Sequence, residues 1–273
     1  MSAGTSADQL ASLAGIDLGT HVARYDDAAS ILYALTVGAR PNQLDLVYER
    51  DLRALPTYGC ALGLWAVEAA GALGVYDPGR SLHASQRLVV HRPLSASGTL
   101  EMSGRIAGVY DKGKAGLVAI EVTSEAFTAG YDIFLPGLGG WGGDRGPSSE
   151  RSEVHLTRTS TYSTPRNLAA LYRLTGDRHP VHVDPDVAAA NGFDRPILHG
   201  LCTLGIAARE VAEHVGANPA DLASLEARLT SPVVPGDELQ ITSGAADDVV
   251  HFEVAVGDAV VISAGRATFG PTT

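Results

Sequence analysis

The chain contains the same unit twice, and this repeat limits its fold more than any other feature. Residues 31–38 read ILYALTVG and residues 170–177 read ALYRLTGD, so Tyr33, Leu35 and Thr36 stand opposite Tyr172, Leu174 and Thr175. CALGL at 60–64 stands opposite CTLGI at 202–206. The offsets are 139 and 142 residues, so order and spacing both hold. A self-similar chain is read first as stacked copies of one structural unit.

Each copy shows the same order of elements. A short helical segment is followed by a longer helix, from Pro56 to about Leu73 and from Gly200 to about Val215. In the second helix Leu201, Leu204, Ala208, Val211 and Val215 fall at three- and four-residue steps, which predicts one buried stripe, and Gly216 can end it. Strand-like runs come next. LVVHRPL, TLEMSGRIAGVY and AGLVAIEVTSEAF are rich in β-branched residues, with a hairpin turn at Asp111-Lys112-Gly113-Lys114. SLEARLTS, DELQITSGAA, VVHFEVAV and AVVISAGRATFG repeat the pattern. A long helix followed by an antiparallel meander makes an α+β unit, present twice. Between the copies, PGLGGWGGDRGPSSERSE at 136–153 reads as a connection, although its glycines could also let backbone approach a ligand. The expected organisation is one unit over 1–135, the connection over 136–153, and a second unit over 154–273.

Charge and composition exclude several classes. A net charge of −11 opposes binding to a duplex or an anionic membrane, and there is no Lys/Arg block. No apolar run approaches the roughly 20 residues that span a bilayer. The first fifteen residues lack the basic start of a secretory signal and read as a frayed or lightly docked terminus. Cys60 and Cys202 lie in apolar surroundings, which suggests buried thiols in a reducing cytoplasm.

The densest chemistry lies in GDRHPVHVDP, residues 176–185. Asp184, Pro185 and Asp186 look like an N-cap, a first-turn proline and a first-turn acid, so Asp184 has a structural task. Pro180 argues against one continuous helix and places Asp177 and His182 on a loop that can bring them together. A carboxylate beside an imidazole can hold and activate a water. FDRPILHG then leads into the second long helix, whose first-turn N–H groups lack helical partners, so the Gly200 N–H is a candidate donor to a developing enolate. Such a set suits addition of water to an α,β-unsaturated thioester. Two other readings stay open on the residues alone: a His-x-x-His metal site, for which no further ligand is clearly placed, and a capped turn without chemistry. His199 reads as a structural histidine rather than a second base.

YRLTGDRHPVHVDPDVAAANGFDRPILHGLCTLG closely resembles the hydratase 2 motif of MaoC-like (R)-specific enoyl-CoA hydratases. That pattern runs Gly-Asp-x-Asn-Pro-[Leu/Ile/Val]-His, then Asp-Pro, then Pro-Ile-Leu-His-Gly. LVYERDLRALPTYG, LHASQRLVVHRPL, VYDKGK and GLGGWGG extend the resemblance to the hydratase part of peroxisomal multifunctional enzymes of type 2. The resemblance implies a double hot-dog fold and reversible hydration of trans-2-enoyl-CoA to (3R)-3-hydroxyacyl-CoA, with no cofactor and no metal. It implies that Asp177 and His182 are the catalytic pair and that the Gly200 N–H polarises the thioester carbonyl. His83, Ala84, Lys112, His179, His199 and Leu229 are then expected around the substrate. Three positions depart from the pattern: His179 stands for Asn, Ala84 for Gly, and Leu135-Pro136 where relatives often carry Arg. In the first unit Gly38 takes the place of Asp177, and Thr57-Tyr58 that of His199-Gly200. That half is expected to leave room for the acyl chain, with one active site per chain. The implied partners are an acyl-CoA and a second copy of the chain. The alternatives are a dehydratase for carrier-protein or bulky acyl substrates, a non-catalytic acyl-CoA-binding protein, and a thioesterase.

Overall fold

The computed structural model describes residues 7–147 and 154–270; the end of the expected connection, 148–153, and the first six residues lie outside them. Ten strands form one antiparallel sheet: β1 Asp17–Tyr25, β2 Leu82–Val90, β3 Gly98–Asp111, β4 Ala115–Ser124, β5 Phe127–Pro136, β6 Arg158–Ser163, β7 Leu222–Leu229, β8 Glu238–Ala246, β9 Val249–Val256 and β10 Ala259–Phe269. The spatial order is β1-β3-β4-β5-β2-β7-β10-β9-β8-β6. Counted outward from the centre, both sides follow one scheme, with β2 matching β7 and β1 matching β6. The repeat in the sequence is thus a repeat in topology, and the two copies meet at β2 and β7.

Helices α1 Ala7–Ala11, α2 Asp27–Thr36, α3 Leu44–Val47, α4 Tyr58–Leu62, α5 Trp65–Ala72, α6 Leu168–Tyr172, α7 Pro185–Ala190 and α8 Gly200–His214 complete the α+β fold. β3 shows why the strands hold their register: Leu100, Met102 and Ile106 point into the core at period two. α8 packs on β7, β8, β9 and β10.

Four features differ from the sequence expectation. The edge strands β1 and β6, and β5, were not anticipated. The run Ala115–Phe127 is not one strand, because Ser124 Oγ accepts the N–H groups of Ala126 and Phe127 and turns the chain into β5. The helix expected over 56–73 breaks at Gly63-Leu64: the Tyr131 hydroxyl from β5 donates to the Cys60 carbonyl at 2.8 Å, and Leu64 N–H bonds Ala61 instead. α8 is not buried along one stripe. Every residue from Leu201 to Ala212 is buried, including Arg209 and Glu210, whereas Val215 is exposed. A helix enclosed on all sides by a sheet and a second helix layer has no solvent face to expose.

The glycine-rich stretch folds onto the β3–β4 turn. The Asp111 carboxylate accepts N–H groups of Gly113, Gly140 and Gly142, each at 2.8 Å. The Gly140 N–H foremost, with the other glycine amides, holds this carboxyl below the usual carboxylate range. The glycines therefore wrap a carboxylate of the chain itself.

Candidate active site

The central strands pair from Ser85–Val89 to Arg228–Ser224. Beyond Ser85 the register of β2 shifts, with Ala84 at the irregularity, and the strands part beside His83, Ala84 and Leu229. The N-terminus of α8 comes to this gap. A Cβ on Gly200 would lie 2.7 Å from Leu229 Cδ1, so a larger residue there requires the end of the Leu229 side chain to move. His199, the N-cap residue, gives α8 no side-chain cap; its carbonyl takes the Cys202 and Thr203 N–H groups, and those of Gly200 and Leu201 have no partner within the helix.

The loop before α7 brings the titratable groups to the same place. Gly176 has φ +150 and lies against the Ala61 carbonyl of α4, which turns Asp177 toward the α8 N-terminus. Asp177 Oδ1 accepts the His179 N–H at 3.0 Å. The Asp177 carbonyl accepts from His199 Nε2 at 3.2 Å. His182 lies in a short 3₁₀ turn, Pro180–His182, and its Nδ1 contacts the Ile197 carbonyl at 2.9 Å. A carbonyl can only accept, so Nδ1 carries a proton, and in the neutral ring Nε2 carries the lone pair. That Nε2 lies 3.7 Å from Asp177 Oδ2. Two acceptors at this separation do not bond each other, but one water can donate to both. Asp184 caps α7 through the N–H groups of Asp186 and Val187, in keeping with a structural role.

The electrostatics follow from burial and neighbours. Burial disfavours the Asp177 carboxylate, but His182, His199 and the His179 N–H outweigh it and bring the group below its ordinary range. Burial and the adjacent His182 push His199 down to about 3, so it stays neutral. The rings of His182 and His199 stack with centroids 3.6 Å apart. Burial also lowers His83, whose environment includes the charge of Asp177, so the first unit contributes to the site. Potential ligand atoms of Asp177, His182 and His199 lie within 4.8 Å of one another. His199 Nε2 is engaged by the Asp177 carbonyl, which leaves its Nδ1, buried and without a hydrogen-bond partner, as the nitrogen with the lone pair. Three ligand atoms are thus gathered, one fewer than a closed tetrahedral site takes.

The structure thus gathers Asp177, His179, His182, His199, Gly200, Leu229, His83 and Ala84. It does not bring Lys112 to the cluster: Lys112 Nζ donates to the Arg145 carbonyl and sits over the Tyr110 ring, at the end of the sheet where β2 begins. Sequence reasoning missed three groups. The Ile197 carbonyl selects the His182 tautomer, and backbone acceptors leave no mark in residue types. The Tyr172 ring lies 4.8 Å from His199, and only its place in the repeat could have flagged it. A cavity of about 370 Å³ opens beside the loop, lined among others by Val22, Tyr58, Leu62, Trp65, Thr175 and Gly176; it depends on the unanticipated β1.

Comparisons with known proteins give the family. Residues 24–136 match the model of the MFE-2 hydratase 2 N-terminal domain, and residues 147–266 match the MaoC like domain. A probable enoyl-CoA hydratase 2 of Dictyostelium discoideum is 37% identical over 77% of this chain and 78% of its own length. The chain belongs to the MaoC-like hydratase 2 family. The peroxisomal multifunctional enzyme type 2 of Mus musculus is 34% identical over 92% of this chain, which spans 37% of that longer protein. Among solved structures, a MaoC-like dehydratase from Phytophthora capsici superposes with a TM-score of 0.86 at 27% identity, over 97% of this chain and 98% of that one. A Mycobacterium tuberculosis protein described as a double hot-dog fold superposes at TM-score 0.60 over 97% of each chain; at 14% identity it supports the fold alone. This MaoC-like hydratase is therefore a double hot dog. Among the described residues no helix is long and apolar enough to cross a membrane.

Proposed function

We propose that this chain catalyses reversible syn hydration of trans-2-enoyl-CoA to (3R)-3-hydroxyacyl-CoA. The observation that carries the reading is the pair of acceptors, His182 Nε2 and Asp177 Oδ2, 3.7 Å apart beside an uncapped helix N-terminus with glycine at its first position. Water donates to both groups. As its oxygen adds to C3, His182 Nε2 takes one of its protons, and the pair returns a proton to C2 on the same face. The negative charge that develops on the thioester oxygen meets the Gly200 N–H. No electron leaves or enters, so the reaction itself calls for no redox cofactor.

The thioester would enter where β2 and β7 part, between His83-Ala84 and Leu229. The acyl group would extend into the cavity under Tyr58, Leu62 and Trp65, for which the break between α4 and α5 leaves room. The CoA would leave along the end of the sheet that carries Lys112. Two buried free thiols, Cys60 and Cys202, support a reducing compartment, the cytoplasm in this reading. A homodimer belongs to the same reading and is checked by light scattering.

The test follows loss of the conjugated thioester absorbance with crotonyl-CoA, a medium-chain and a branched enoyl-CoA, for wild type beside Asp177→Asn, with the product's configuration determined. Turnover to the (3R) product that disappears in the variant is expected. A folded wild type that turns over none of them overturns the reading; competition by free CoA against a carrier-protein substrate then separates the two thioester classes.

A further inference from the structure

The cavity beside residues 175–178 has two kinds of wall. Part of it is apolar and aromatic: Tyr58, Leu62 and Leu64 from the broken helix, and Trp65. The Trp65 ring is held by two strands. It stacks on His21 of β1 with centroids 5.4 Å apart, and its edge packs on Gly104 of β3, where an added Cβ would lie 2.9 Å from it. The exposed side chains of Val22 and Leu174 belong to the same lining. The loop itself is two-sided. Asp177 turns to His182 and His199, whereas its neighbours Gly176 and Arg178 line the cavity.

The other kind of wall is charged. Arg24 of β1, Arg178 and Glu68 of α5 line the cavity as well. Among the described residues neither arginine makes an ion pair. Glu68 stands in the first turn of α5, where the helix dipole favours a negative charge and offsets part of it. The cavity thus carries an excess of positive charge in a chain of net charge −11. β1 is an edge strand among the described residues, so its unpaired N–H and C=O groups add to the polar side.

A plain alkyl tail would cover the aromatic wall and leave both guanidinium groups without a partner. A tail that ends in a carboxylate suits both walls. Its methylenes lie against Leu62 and Trp65, and its oxygens accept from guanidinium groups, whose planar donors match a carboxylate. We infer that this cavity selects enoyl-CoA substrates whose acyl group ends in a carboxylate, with Arg24 and Arg178 as the specificity-determining residues. The inference rests on the hydratase reading, in which the acyl group extends into this cavity.

The experiment measures kcat/KM for pairs of trans-2-enoyl-CoA of equal length, one ending in a methyl group and one in a carboxylate, over medium and long chains. Analogues ending in a hydroxyl form a third arm. At the lengths that reach the arginines, wild type should prefer the carboxylate by about twofold to tenfold, the scale of partly exposed ion pairs. Arg24→Gln combined with Arg178→Gln should abolish the preference, Arg24→Lys should keep most of it, and Glu68→Gln should increase it. A merely structural loss would not move the ratio in opposite directions for opposite charges. Added salt should shrink the preference. A wild type without the preference at any length, or a ratio that the charge variants do not move, overturns the proposal. So does a hydroxyl end that equals the carboxylate in every variant. If wild type turns over none of these substrates, the hydratase reading fails on its own account. Calorimetric titration with a saturated carboxylate-ended acyl-CoA and its methyl-ended counterpart then decides this one: equal affinities, or no binding, overturn it.

Discussion

Gly38 and Asp177 occupy matching places in the two copies, and their surroundings are opposites. Asp177 faces a gap, with His182, His199 and an open helix N-terminus around it. Gly38, at φ +86, faces a filled space: an added Cβ would lie 2.7 Å from Tyr162 and 3.1 Å from Arg209 Nη2. Arg209 is fully buried, donates to the Val37 carbonyl at 3.1 Å and pairs with Glu210 and Glu213. Gln43, which matches His182 by the same offset, bonds Glu213 instead of facing a cavity. Thr57, which matches His199, is reached by the Tyr33 side chain, as His199 is approached by Tyr172. One fold therefore supports two local solutions. An ion cluster and an aromatic ring plug the first place, while the second is left open beside helices that do not fill it.

The sharpest test of this contrast is catalytic. In the proposed reaction, Asp177→Asn or His182→Ala should reduce kcat by about 10²–10⁴-fold with the melting temperature little changed, while Gln43→Ala, at the matching place, should leave turnover near wild type. Equal losses from both would break the comparison. Next in size is the plug. Arg209→Ala leaves buried Glu210 with only the longer Arg40 contact, at 3.5 Å, and should cost up to about 3–5 kcal/mol, read as a shift in the urea midpoint. Gly38→Ala strains a left-handed residue against Tyr162 and should cost about 1–3 kcal/mol without altering kcat per folded molecule. Gly176→Ala, also at positive φ, should reduce kcat as well, because it displaces Asp177. Tyr131→Phe frees the Cys60 carbonyl and should cost about 1 kcal/mol; its informative readout is the preference between short and branched enoyl-CoA, since the helix break borders the cavity.

A further contrast between the copies is read in pH. His199 is neutral in the fold, pushed from 6.5 to about 3, so the unfolded chain binds more protons between those values. Stability should then rise with pH across that window and fall on acidification below about 6.5. Denaturation midpoints of wild type and His199→Thr, the residue of the other copy, should diverge at neutral pH and converge toward acid. Parallel curves would remove His199 from the account.

Much of this was legible in the chain. Paired motifs at nearly equal offsets announced two copies, and Asp177, His182 and Gly200 stood out as a carboxylate, an imidazole and a helix-opening glycine. The Gly-rich stretch read as a connection between the copies, and the carboxylate that its glycines bind, Asp111, lies outside it. The helix over 56–73 was misread as continuous because the group that interrupts it is a hydroxyl on β5, about seventy residues away. Likewise the edge strands β1 and β6 carry weak alternation and are strands because β3 and β8 offer them free edges.

Local residue order thus determined the repeat, the caps, the turns and the crowding of titratable groups into residues 176–185, since these depend on neighbours within a few positions. Which copy keeps an open site, which nitrogen of His182 bears the proton, and how far apart the two acceptors stand were decided by tertiary contacts. Those quantities depend on the Ile197 carbonyl, the parting of β2 from β7, and a buried arginine filling one of two equivalent spaces. Each joins residues distant in the chain, and a hydrogen bond or a filled volume exists only once packing has brought both sides together.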